Sequence, residues 1–260
     1  MASRNSPPAG RKKDERPENR QAREAREPEG SFLMAAGGTS IRNEGKTVVF
    51  KGILFDLDGT LLDTTDLILK SFQHTIRTHQ GRDADLEFVK TTFGRPLIEA
   101  LALMGDDPEA MIKTYREFNT LYHDDLAKVF TGVTEVIQKL YDRGVGLAVV
   151  TSKTRATSER GLRLFNLDKY FPVVVGHEDC QCHKPHPEPV LRALDCLGLP
   201  AADCLMVGDS PYDVMSAKAA GVRTAAVRWT YVPWADVVAA GPDYVIEEMA
   251  DLLPLCGIAD

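Results

Sequence analysis

Apolar positions change their spacing several times along this chain, and the changes divide it. Residues 1–45 hold few of them. Arg, Glu, Pro, Gly and Ser dominate there, as in Arg11-Lys12-Lys13-Asp14-Glu15-Arg16-Pro17-Glu18, so a disordered, charged tail is expected. Met34 would also serve as a start. From Val48 the pattern turns. Val48–Phe55 is a short apolar run rich in β-branched residues, which predicts a buried strand. Leu67, Ile68, Phe72 and Ile76 then recur at helical spacing over 64–79. Further helices are predicted over 84–92, 96–104 and 108–128, with Gly105 and Pro108 as punctuation.

After Thr131-Gly132 the two periods alternate. Helices are predicted over 133–143, 154–166, 187–198 and 210–220, and strands over 145–151, 173–175, 203–207, 223–228 and 243–246. Such alternation predicts an α/β fold, a doubly wound parallel-sheet (Rossmann-like) core covered on both faces. The core comprises 46–64 and 131–260, and residues 65–130 form an all-α cap inserted after the first strand. No internal repeat is visible.

Composition narrows the function. Of the formal charge of −7, residues 1–30 carry eight basic and six acidic groups, or +2, which leaves −9 for the rest. So acidic a body argues against nucleic acid as a partner. No apolar run approaches the roughly 18 residues that a membrane span needs. Five cysteines, unevenly spread and without a signal peptide, fit a reducing cytoplasm. The oligomeric state is not legible.

The chemistry lies at the strand ends. Ile53-Leu54-Phe55 runs into Asp56-Leu57-Asp58-Gly59-Thr60, and alternation would aim both acids to one side. Burying carboxylates without partners is costly, so a structural role alone explains them poorly. Val207-Gly208-Asp209-Ser210-Pro211-Tyr212-Asp213 repeats the design. Converging acids of this kind read as a Mg2+ site with a carboxylate to spare. Asp56, Thr151, Asp209 and the loop before Lys184 all fall at carboxyl ends of predicted strands, where open α/β sheets bind ligands.

In order along the chain stand Asp56-x-Asp58-Gly59-Thr60, Val149-Val150-Thr151, Lys184-Pro185 and Gly208-Asp209-x-x-x-Asp213. Together, over about Val48 to Leu255, these motifs resemble the haloacid dehalogenase superfamily, and within it the phosphatases with an inserted helical cap. The resemblance implies that Asp56 attacks phosphorus and that Asp58 gives and later takes a proton. Asp58 must start protonated, which neighbouring acids would favour. Thr151 and the amides after it, beginning with Ser152, would bind phosphate oxygens. Lys184 would offset the clustered charge. Asp56, Asp209 and the main-chain carbonyl of Asp58 would hold Mg2+, with Asp213 acting one step behind them. The substrate is expected to be a small phosphate anion.

Bland readings stand beside these. Gly59 and Gly208 fit either turns or close approach to other groups. Thr60 reads as a loop-fixing hydroxyl, Asp63 as a helix cap and Asp66 as a surface acid. Cys180-x-Cys182-His183, with His177 and His186 nearby, matches no closed zinc site, and a loop beside Lys184 explains it. His186 departs from the small or acidic residue that relatives often place after Lys-Pro. Trp229 and Trp234 read as packing residues.

Asp58 argues against a dehalogenase, which has no leaving oxygen to protonate. A phosphosugar mutase and a non-catalytic phosphate-binding protein are the remaining alternatives. Ser71-Phe72-Gln73-His74-Thr75-Ile76, Tyr115-Arg116-Glu117-Phe118-Asn119 and Ala226-Val227-Arg228-Trp229-Thr230 look like the PpaX-type inorganic pyrophosphatases. Phosphoglycolate phosphatases share the architecture. Arg95, in Thr92-Phe93-Gly94-Arg95-Pro96-Leu97, is the candidate to bind the distal charge of the substrate.

Overall fold

The computed structural model describes residues 49–259. The expectations for the charged tail lie outside that range. Eight strands and ten α-helices follow one another among the described residues. Six strands form one sheet: β1 (Gly52–Phe55), β4 (Gly146–Val150), β5 (Val173–Val175), β6 (Cys204–Gly208), β7 (Arg223–Val227) and β8 (Tyr244–Ile246). All neighbours are parallel, in the order β5-β4-β1-β6-β7-β8.

The sheet is buried on both faces because its strands are apolar at nearly every position. Ile53 and Phe55 join one core with Val133, Ile137 and Leu140 of α5 (Val133–Asp142) and Leu162 of α6 (Arg155–Leu164). Leu54 faces the other way, with Met206, Val190 and Ala193 of α7 (Glu188–Leu197) and Ala217 of α8 (Pro211–Ala219). Truncating such a residue to alanine costs about 2–5 kcal/mol.

The register sets up the site. Phe55 is level with Val149 of β4 and Val207 of β6. Asp56 leaves β1 beside them, and its amide donates to the Val207 carbonyl at 2.9 Å. Thr151 and Asp209 are the first residues beyond β4 and β6, so three adjacent central strands end at one mouth.

Four helices stand between β1 and α5: α1 (Thr65–Gln80), α2 (Leu86–Lys90), α3 (Leu97–Ala102) and α4 (Pro108–Leu126). They enclose a separate apolar cluster that includes Phe72, Ile76, Val89, Leu101, Met111 and Tyr115. Local chemistry fixes the ends. Asp107 accepts from the Ala110 amide at 3.0 Å and Pro108 opens α4, while Gly81 closes α1 with φ 65°. The segments before and after these helices pair as a small antiparallel ribbon, β2 (Leu62–Asp63) with β3 (Lys128–Val129).

The sequence pattern overextended several elements. The predicted helix over 108–128 stops at Leu126, because Lys128 and Val129 turn to extended pairing in β3. The helices over 84–92 and 96–104 contract to five and six residues. The first strand begins at Gly52, since the amides of Phe50 and Lys51 donate to the Leu255 and Asp203 carbonyls. Two short helices, α9 (Trp234–Ala239) and α10 (Leu252–Leu255), were not predicted. No helix among the described residues is long and apolar enough to cross a membrane.

Candidate active site

Asp56 is 7% exposed at the end of β1, and its Oδ1 accepts from Lys184 Nζ at 2.7 Å. The same ammonium, 3% exposed, donates to Asp213 Oδ1 at 2.5 Å and to the Val150 carbonyl at 3.2 Å. Lys184 thus ties the ends of β1 and β4 to the first turn of α8. Asp213 is itself fixed there: its Oδ2 accepts from Ser210 Oγ at 2.6 Å and from the Ser210 amide at 3.1 Å. Thr230 Oγ1 lies 2.9 Å from the Asp209 carbonyl and 3.1 Å from Asp209 Oδ2.

Two glycines admit this crowding. Gly59 has φ 85°, and a Cβ there would meet Asp209 Oδ2 at 2.2 Å, so turn and close approach both require glycine. Gly208 needs only the space, because a Cβ would meet Asp213 Cβ at 2.4 Å.

The electrostatics are unbalanced. Asp56, Asp209 and Asp213 offer carboxylate oxygens within 4.8 Å of one another, all buried, against the single ammonium of Lys184. Burial raises the pKa of Asp56, Lys184 pulls it down and Asp213 pushes it up again; the result is about 7. Burial, then Asp56 and Asp213, push Asp209 well above the usual carboxylate range. Burial alone would lower Lys184, but Asp213 and Asp56 outweigh it and hold the ammonium above the ordinary lysine value. Hard oxygen donors carrying surplus negative charge suit a divalent cation such as Mg2+, which would relieve the repulsion.

Asp58 finds different company from that expected. Its Oδ1 accepts from Thr64 Oγ1 at 2.6 Å and from Lys153 Nζ at 2.9 Å, so its immediate neighbour is a cation rather than a carboxylate. Its side chain is therefore turned to Lys153. Neither Lys153 nor Thr64 emerged from the sequence. A lysine two residues beyond Thr151 was the available signal, but nothing in the pattern says that it reaches Asp58.

Thr151 Oγ1 accepts from the Lys153 amide at 3.2 Å. Ser152 borders the cavity, but its hydroxyl donates to the Gly94 carbonyl at 3.1 Å, so it ties the core to the loop between α2 and α3. Arg95 in that loop also borders the cavity. Its guanidinium lies 5.1 Å from the centre of the Tyr212 ring, and its buried Nε has no hydrogen-bond partner among the described residues. The Thr60 hydroxyl fixes no loop, being buried without a partner among the described residues; its carbonyl instead accepts from Trp229 Nε1 at 3.3 Å.

These groups surround a cavity of about 510 Å3. Asp56, Asp58, Thr151, Lys153 and Asp209 make its polar floor. Ile68, Phe72, Leu97, Ile98 and Ile112 of the helical insertion line it from the other side. Arg116 of α4 and His177 of the core also border it; burial, then His183 and Arg116, lower the His177 pKa.

Known proteins resemble this chain over most of its length. The sequence profile of the haloacid dehalogenase-like hydrolases matches residues 53–227. A provisionally named pyrophosphatase PpaX of Caldanaerobacter subterraneus subsp. tengcongensis is 50% identical over 204 residues, which cover 78% of this chain and 93% of that protein. The pyrophosphatase PpaX of Anoxybacillus flavithermus is 41% identical over 209 residues, 79% of this chain and 96% of its own. The crystal structure of a predicted phosphoglycolate phosphatase from Haemophilus somnus 129PT superposes with a TM-score of 0.69 at 26% identity, over 79% of this chain and 97% of that one. The chain belongs to the haloacid dehalogenase-like hydrolases.

Proposed function

We propose that this phosphatase hydrolyses inorganic diphosphate, with Mg2+ as cofactor and Asp56 as the phosphoryl acceptor. The observation that carries the reading is the pairing of Asp56 with Lys184 beside Asp58 at the ends of the central strands. The names of the PpaX relatives, at 40–50% identity over most of the chain, support the substrate.

Bound by Asp56, Asp209 and the Asp58 carbonyl, Mg2+ would offset charge on the phosphoryl oxygens. The chain's own groups do the rest. Lys184 holds Oδ1 of Asp56, which leaves the second oxygen to attack phosphorus. As the bond to the bridging oxygen breaks, Asp58 donates its proton to the departing phosphate. Asp58 then takes a proton from the water that attacks the phosphorylated Asp56, and the second phosphate leaves. Lys153 and Thr64 hold Asp58 through Oδ1, which leaves Oδ2 to carry the proton in both transfers. Arg95 is suited to the distal phosphoryl group as a fork of donors, since its Nε lacks a partner.

A second reading is a small organic phosphoester such as phosphoglycolate. The apolar side of a 510 Å3 cavity suits the carbon skeleton of an organic ester, and the name of the Haemophilus structure points to phosphoglycolate. A panel of diphosphate, phosphoglycolate and aryl phosphates, each with and without Mg2+, separates the two. Diphosphate is expected to have the highest kcat/KM; a tenfold advantage for phosphoglycolate, about 1.4 kcal/mol in transition-state binding, would reverse the assignment.

A further inference from the structure

Outside the acidic site, the loop that carries Lys184 assembles a different set of donors. Cys182, His186 and Glu188 place a thiol sulfur, an imidazole nitrogen and a carboxylate oxygen within 4.8 Å of one another. Sequence spacing alone gave no reason to group them, because Glu188 belongs to the start of α7 and lacks the pattern of a closed site. The fold supplies the grouping and also holds two of its members. Glu188 Oε1 accepts from the Gln181 amide and Oε2 from the Cys182 amide, both at 2.9 Å, and each oxygen keeps a second lone pair. His186 Nδ1 accepts from the Glu188 amide at 3.2 Å, which sets the ring's orientation. Cys182 and His186 are exposed, so an ion can reach them from solvent.

We infer that Cys182, His186 and Glu188 form a second metal site, selective for a thiophilic divalent cation such as Zn2+, whose occupancy slows the enzyme. One thiolate, one imidazole and one carboxylate are the donors that zinc takes, and three protein ligands leave one position for water. Mg2+ prefers oxygen donors and would pass this site by. Zinc bonds of about 2.0–2.3 Å bring ligand atoms to roughly 3.5 Å apart, so binding draws the loop inward. Lys184 lies two residues from both Cys182 and His186, and its ammonium already sits at 2.5–2.7 Å from Asp213 and Asp56. Contraction beside it disturbs that placement, and small misplacements at reacting groups cost much in rate. The slowing rests on the catalytic role proposed for Lys184; the binding does not.

Cobalt(II) added to the full-length protein at saturating Mg2+ reads the binding directly. A thiolate-to-cobalt charge-transfer band should grow to one equivalent, fall away on addition of Zn2+, and be absent from Cys182→Ser. His186→Ala should weaken cobalt binding at least tenfold, and Asp56→Asn should keep the band, because the acidic cluster has no sulfur. No band in the wild-type protein, or an equal one in Cys182→Ser, would overturn the site. In turnover assays at saturating Mg2+, the Zn2+ concentration for half inhibition should rise at least tenfold in Cys182→Ser. A band accompanied by identical zinc inhibition in both proteins would overturn the coupling to Lys184.

Discussion

Lys153 Nζ stands 2.9 Å from Asp58 Oδ1, joining residues 95 positions apart in the chain. The two side chains are 14% and 21% exposed, so the pair is shielded without being sealed from water. A lysine there can hold the proton-transferring carboxylate and add positive charge beside the reacting phosphate.

Replacing Lys153 with Met is expected to lower kcat about tenfold or more, with little change in Tm, because a partly exposed pair contributes little to stability. The loss should be larger for esters with poor leaving groups than for diphosphate, which departs more readily. Steady-state kinetics on the two substrate types check this. Unchanged kcat on both would remove Lys153 from the reaction.

The charge imbalance predicts how the metal-free protein responds to pH. Asp56 titrates near 7 in the folded chain, whereas an unfolded aspartate does so near 4. Between those values the folded chain holds more protons, so its stability falls as pH rises through that window. His123 and His177, whose pKa values burial lowers, act in the opposite sense, so the decline is read against Asp56→Asn. With chelator present, wild-type Tm should fall relative to that variant from about pH 4 to pH 7, and added Mg2+ should raise wild-type Tm more at pH 7.5 than at pH 5. Thermal denaturation across pH, with and without Mg2+, measures both. Equal stabilisation by Mg2+ at the two pH values would count against a cation among these acids.

Arg95 gives a prediction about substrate. Arg95→Ala should raise KM for diphosphate about tenfold and leave KM for an aryl phosphate within about twofold, since only diphosphate presents a second charged group. A parallel rise on both substrates would assign Arg95 to loop packing against Tyr212 instead.

Much of the site was legible because strand ends carry their chemistry in consecutive residues. Asp56, Asp58, Thr151 and Asp209 follow apolar runs, and the parallel register then brings those ends together. What the sequence hid depends on side chains that cross between segments. Lys153 reaches Asp58, Ser152 reaches Gly94, and Glu188 folds back to the amides of Gln181 and Cys182. The ribbon of β2 and β3 was invisible for another reason: two residues per strand are too few to show any period.

The proposed reaction depends above all on Asp56 as the group that takes the phosphoryl. Turnover of inorganic diphosphate by Asp56→Asn, at saturating Mg2+ and beside the wild-type protein, tests it most directly. The substitution keeps the shape and removes one charge from a crowded acidic cluster, so the variant should fold with a Tm no lower than wild type in chelator. Its kcat should fall by about a thousandfold or more. Retention of a tenth of the wild-type rate in a clean preparation would contradict the account.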